Sequence, residues 1–199
     1  MTEATIKIGG RGGYCSGVLI SPDLRYSPAT RTRFALTCAH YFHTDRTGVG
    51  VSGSAFHTTL ADVRRVPWTD LAVVRLAKES PVQDLPAVSD TRAPLFRRSV
   101  THGYGGHQRK GRGKPGRVLL PVPLALSREL RTFVRSGAVL YNNPPAIHGD
   151  SGGPVLVDGR LVALQSLILD PFGKNLRIAT VSQLAPHRRA IVRVLAELS

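Results

Sequence analysis

Only two cysteines, Cys15 and Cys38, occur in the 199 residues. That excludes a small fold stapled by disulfides, and no paired cysteine spacing of the kind that holds zinc is present. The seven histidines are scattered, so neither a metal nor any other cofactor is implied. No apolar run approaches the roughly 20 residues of a membrane-spanning helix, so no membrane partner is expected. The opening "MTEATIKIGG" is polar where a secretory leader would be apolar, so no signal peptide is read in it. Acidic residues are scarce: 13 Asp and Glu stand against 27 Lys and Arg, a formal net charge of +14. Such an excess suits solubility, an acidic partner or substrate, or nucleic acid, and does not choose among them.

Glycine and proline are plentiful, at 20 and 14 residues, which favours many turns over a helical bundle. Short apolar stretches recur between them and read as strands: 15–21, 33–40, 71–77, 98–105, 116–126, 138–142, 153–169 and 175–181. Within 153–169, "VDGR" is an Asp-Gly turn between two apolar runs, the signature of a hairpin. The last stretch, 182–198, differs, because Ile191, Val194, Leu195 and Leu198 recur at helical spacing. Residues 78–94, polar and containing proline, read as a linker between two β halves. The run "HQRKGRGKPGR" at 107–117 reads as a flexible, solvated loop carrying Arg109, Lys110, Arg112, Lys114 and Arg117.

Residues 148–154 read "HGDSGGP", poor for helix and strand alike. The glycines permit positive φ and remove Cβ atoms from around the Ser151 hydroxyl. A serine becomes a nucleophile only with a base in reach, an acid that orients the base, and backbone N–H groups aimed at the developing oxyanion. "LTCAH" ends one apolar stretch on His40, and "TDLAVVRL" opens another with Asp70. Taken singly, a lone histidine is usually structural and a lone aspartate usually caps a turn. Together, in the order His, Asp, Ser, the three contexts point to nucleophilic catalysis.

These segments resemble the three active-site motifs of the chymotrypsin/trypsin family of serine endopeptidases. "CSGVLIS", "GYG" at 103–105 and "LQSLI" at 164–168 are similar to further family segments, and the resemblance covers nearly the whole chain. It implies an all-β fold: two six-stranded antiparallel barrels with a C-terminal α-helix. Residues 1–85 would form the barrel carrying His40 and Asp70, 86–182 the barrel carrying Ser151, and 183–199 the helix. The resemblance also implies that Gly149 and Ser151 bind the oxyanion, that Ser166 bonds Asp70 or the substrate backbone, and that Pro145, His148, Ser166, Leu167 and Ile168 border the substrate.

The chain also departs from the family pattern. Tyr41 follows the histidine where many relatives have a bridged cysteine, so two free thiols are the simpler reading beside a Cys15–Cys38 bridge. Free thiols and the polar N-terminus lead us to expect a cytoplasmic protein, with a secreted mature form as the alternative. In many relatives a chain-terminal amine pairs with the aspartate beside the serine. "IKIGGRGG" matches that region loosely, which leaves Asp150 to hold its turn by local hydrogen bonds. Pro145 stands where trypsin carries the aspartate that captures Lys or Arg. A small or medium apolar side chain is therefore expected at the attacked residue, with an acidic one as the alternative. Asp170, in "LDPFG", reads as a turn residue. The expected partner is a protein or peptide substrate, with acidic residues favoured by the basic loop, and the expected state is a monomer or one domain of a longer protein. The competing readings are a non-catalytic module that binds nucleic acid or an acidic protein, and an esterase of the same fold.

Overall fold

Strands broken by Gly, Pro and Asp turns account for most of the computed structural model, which describes residues 2–10, 12–43, 48–108 and 110–199. β1 (Thr5–Gly10), β2 (Gly13–Leu19), β3 (Thr32–Cys38), β4 (Gly50–Ser52), β5 (His57–Arg65) and β6 (Leu71–Ser80) close into a barrel in the order β1-β2-β3-β6-β5-β4. β7 (Arg98–Gly103), β8 (Arg112–Leu126), β9 (Phe133–Asn142), β10 (Pro154–Val157), β11 (Arg160–Ile168) and β12 (Ile178–Gln183) close into a second, ordered β10-β11-β12-β9-β8-β7. Neighbouring strands are antiparallel throughout both barrels. The expected pair of six-stranded barrels is the fold.

The periodicity explains the strands that were legible. β3 and β6 are buried on both faces over most of their length, so they read as continuous apolar runs. The Asp-Gly hairpin joins β10 to β11 with φ of 48° at Asp158 and 77° at Gly159, as a primed turn requires. β1, β4 and β5 escaped the reading. β5, "HTTLADVRR", buries few of its side chains and so carries almost no apolar signal.

The polar stretch 78–94 does connect the two barrels, from β6 to β7, but it is not loose chain, for it buries Val82, Leu85 and Val88. Leu85 exchanges backbone bonds with Ser27 at 2.8 and 3.2 Å, and Ser89 donates to the Leu161 carbonyl at 2.8 Å. The crossing chain is thus stitched to both barrels. The basic segment is also not one loop, because β8 begins at Arg112 and pairs Lys114 with Thr101. Arg109 lies outside the described residues.

α1 (Arg188–Leu198) follows the second barrel yet turns its apolar face onto the core of the first. Ile191, Val194, Leu195 and Leu198 are buried there, each contributing about 1.5–3 kcal/mol. The Arg188 guanidinium donates to the Val88 carbonyl at 3.1 Å, tying the helix to the crossing segment. Among the described residues, no helix is long and apolar enough to cross a membrane.

Candidate active site

His40 sits where β3 stops and a single 3-10 turn, His40–Phe42, begins. Asp70 immediately precedes β6, the neighbour of β3 in the barrel. The register Cys38↔Leu71 carries the two residues off the same end of that strand pair. His40 Nδ1 lies 2.8 Å from Asp70 Oδ2, and the His40 amide donates to Asp70 Oδ1 at 2.8 Å. The Ala39 amide donates to the Asp70 carbonyl at 3.2 Å. Ser166, from β11 of the second barrel, adds a hydroxyl donor to Asp70 Oδ2. The Asp70 side chain is 1% exposed and that of His40 25%, so the pair is buried at one end and open at the other.

Burial disfavours the His40 cation, while the Cys38 sulfur and the Asp70 carboxylate favour it; the net effect is a pKa above 6.5. Burial raises the Cys38 thiol well above its usual range. Both Cys15 and Cys38 are buried free thiols.

Ser151 lies in the turn before β10, on the wall of the cleft that His40 and Ser166 also line. Its hydroxyl donates to the Ser166 carbonyl at 3.3 Å. Gly149 has a φ of +96°, and a Cβ there would sit 2.4 Å from the Tyr14 ring. At Gly152 a Cβ would meet the Ser16 carbonyl at 2.2 Å. These glycines serve close packing against the first barrel as much as backbone freedom. Among the described residues, the amides of Gly149 and Ser151 donate to no protein acceptor, while those of Asp150, Gly152 and Gly153 are all bonded. Two neighbouring N–H groups are thus left for a ligand oxygen.

The cleft has a volume of about 980 Å³. Ile147, Leu167, Ile168 and Leu169 give the cleft an apolar lining, and Leu126, Ser127, Arg128, Glu129, Arg131 and Thr132, at the β8–β9 connection, line it as well. His148 is 91% exposed at the rim and stands 4.0 Å from Asp170, which also lines the cleft. Pro145 is half-buried outside the lining, beside Ala146, whose carbonyl accepts the Asn175 amide at 2.6 Å. The structure therefore gathers His40, Ser151, His148, Ser166, Leu167 and Ile168 around one cleft, with Asp70 buried against His40 and Ser166, and neither Gly149 nor Pro145 lines it.

Two contributors were not legible in the sequence. Ser16 on β2 donates its hydroxyl to the Gly149 carbonyl at 2.7 Å and its amide to the Ser151 carbonyl at 2.8 Å. It clamps the serine turn from the opposite barrel, and a serine in an apolar strand announces nothing of the kind. Lys114 is the second: its ammonium pairs with the buried Asp150 carboxylate. The cation that sequence reading assigned to a solvated loop lies in the interior.

The family model of the trypsin-like peptidase domain matches residues 15–164. Among solved structures, the active form of the Rv3671c protease from M. tuberculosis is 17% identical, with 96% of this chain and 81% of that one covered and a TM-score of 0.74. Kallikrein-related peptidase 10, solved in complex with zinc, is 16% identical, with 98% and 97% covered and a TM-score of 0.75. The serine endoprotease from Yersinia pestis is 16% identical, with 98% of this chain and 64% of that one covered and a TM-score of 0.68. At these identities the structures share the fold. No curated protein matches the sequence.

Proposed function

We propose that this chain, which belongs to the trypsin-like peptidase family, cleaves peptide bonds with Ser151 as nucleophile, His40 as general base and Asp70 as orienting acid. Family membership makes it a serine endopeptidase; the roles of the individual residues are our reading. Ser151 Oγ attacks the substrate carbonyl as the second ring nitrogen of His40, Nε2, takes its proton. The imidazolium then gives that proton to the leaving amine, and an acyl group remains on Ser151. Water, activated by the same imidazole, releases it. Asp70 fixes the imidazole with its N–H on Nδ1 and stabilises the cation that forms. The Gly149 and Ser151 amides receive the negative charge that grows on the carbonyl oxygen.

The 2.8 Å contact between His40 Nδ1 and the buried Asp70 carboxylate, in the cleft that also holds Ser151, carries this reading. A surface histidine has no need of a carboxylate that is 1% exposed and receives three separate donors. A covalent test is direct. A fluorophosphonate probe should label the folded protein and not Ser151→Ala; equal labelling of the two would sink the proposal.

For the substrate, the apolar lining of Ile147, Leu167, Ile168 and Leu169 supports a small or medium apolar side chain at the attacked residue. A regulatory or processing protease is the role we favour. Cleavage profiling with an unbiased peptide library tests the preference; dominant cleavage after Lys or Arg would overturn it.

A further inference from the structure

We infer that Lys114 is a positioning residue for the two oxyanion-binding amides: paired with Asp150 inside the second barrel, it holds the 147–153 turn in its working shape. This rests on the peptidase reading above.

The Lys114 side chain is 9% exposed and that of Asp150 fully buried. Lysine is almost never buried without a partner, and removing one member of a buried pair strands the other charge. The carboxylate is also bonded to the turn itself. Asp150 Oδ1 accepts the Gly105 amide at 2.9 Å, and Oδ2 accepts the Ile147 amide at 2.8 Å. The Asp150 backbone continues the wrapping: its N–H donates to the Ile147 carbonyl at 3.0 Å, and its carbonyl accepts the Gly153 amide at 2.9 Å. Residues 147 to 153 are therefore coiled around this one carboxylate. Gly149 and Ser151, whose amides are free, are its covalent neighbours on either side.

The surroundings are shaped for the pair. A Cβ at Gly103 would lie 2.3 Å from Asp150 Oδ1, and one at Gly105 would lie 2.6 Å from it. Both positions are bare where the carboxylate passes. Lys114 arrives on β8 in register with Thr101 of β7, so its direction of approach is set by the barrel. A mobile chain end is not required. Without the cation, the carboxylate would be protonated or would turn toward water. Either movement would rotate the peptide planes on both sides of Asp150, and with them the two N–H groups.

A structural role alone would lower stability without separating kcat from KM. The experiment therefore compares the full chain with Lys114→Met, Lys114→Arg, Lys114→Met/Asp150→Asn and an N-terminal fusion. Each is assayed for thermal unfolding, fluorophosphonate labelling rate, and kcat and KM on one peptide. Misplacing an oxyanion donor is expected to cost about 10²–10³-fold. Lys114→Met should lose that in labelling rate and in kcat, with KM within about threefold, the sign of an interaction made only in the transition state. The double variant, with no stranded charge, should regain thermal stability but not labelling. The fusion should label as the unfused chain does, because the cation is internal. Labelling of Lys114→Met or of the folded double variant within threefold of wild type overturns the inference. If neither neutral variant folds, Lys114→Arg decides: its longer, planar head should depress labelling while KM holds, and wild-type labelling reduces Lys114 to a stabilising residue. A wild-type protein that takes no label overturns the peptidase reading instead.

Discussion

His40 and Asp70 are joined twice, through the ring Nδ1 and through the backbone amide, each at 2.8 Å. One carboxylate thus sets both the ring orientation and the backbone that carries it. Asp70→Asn keeps an acceptor for the His40 amide but can turn an NH₂ group toward Nδ1, stabilising the wrong tautomer. The expected result is a folded protein with kcat down by about 10⁴-fold. Steady-state kinetics beside a circular dichroism spectrum check it, and activity within tenfold of wild type would remove Asp70 from its role.

The pH dependence follows from the raised pKa of His40. His40 must be neutral to accept the Ser151 proton, so kcat should rise with pH through a midpoint above 6.5. The sign for stability is opposite. The extra stability of protonated His40 beside Asp70 is fully present below the unfolded value, about 6.5. It is lost as pH rises through the folded value. An NMR titration of the His40 ring, run beside kinetics, should give one shared midpoint. Full activity well below 6.5 would contradict His40 as base.

Ser166 ties the two barrels at the base of the site by donating to Asp70 Oδ2. Ser166→Ala leaves a buried carboxylate one donor short, at a cost of about 1.5–3 kcal/mol in stability. Denaturant melts read this directly. A loss below about 0.5 kcal/mol would mean that water replaces the hydroxyl without penalty.

Both cysteines are buried and free, in a core that stands without a crosslink. Reductant should leave the melting temperature and the activity unchanged. A bulky maleimide should react slowly with the native protein and at both positions once it is denatured. A mass two protons lighter before reduction, with no alkylation, would reveal a Cys15–Cys38 bridge.

The remaining described cations of the basic segment, Lys110, Arg112 and Arg117, are exposed, unlike Lys114. Replacing these three with Ser should lower kcat/KM for acidic substrates, more so at low salt, and leave neutral substrates and labelling unchanged. Equal effects on both substrate types would show that the segment plays no part in recognition.

Ser151, His40 and Asp70 were legible because each sits in a short local pattern: a glycine-rich turn, the end of a buried strand, the start of another. Most strands, the Asp-Gly hairpin and the apolar face of α1 were legible because burial leaves a period in the sequence, whereas the pairing of two six-stranded barrels was legible only through the family resemblance. Those local features belong to the chain by itself. β5 was hidden because a mostly solvated strand has no such period. Ser16, Lys114 and the docked stretch around Leu85 were hidden for another reason. Ser16 reaches Gly149 across 133 positions and Lys114 reaches Asp150 across 36. Nothing near a serine in a strand or a lysine among glycines says which distant group it will meet. A lysine in a basic run looks solvated until β8 pairs with β7 and turns it inward. The chain determined which groups could react; the closure of two barrels against each other decided which groups hold them.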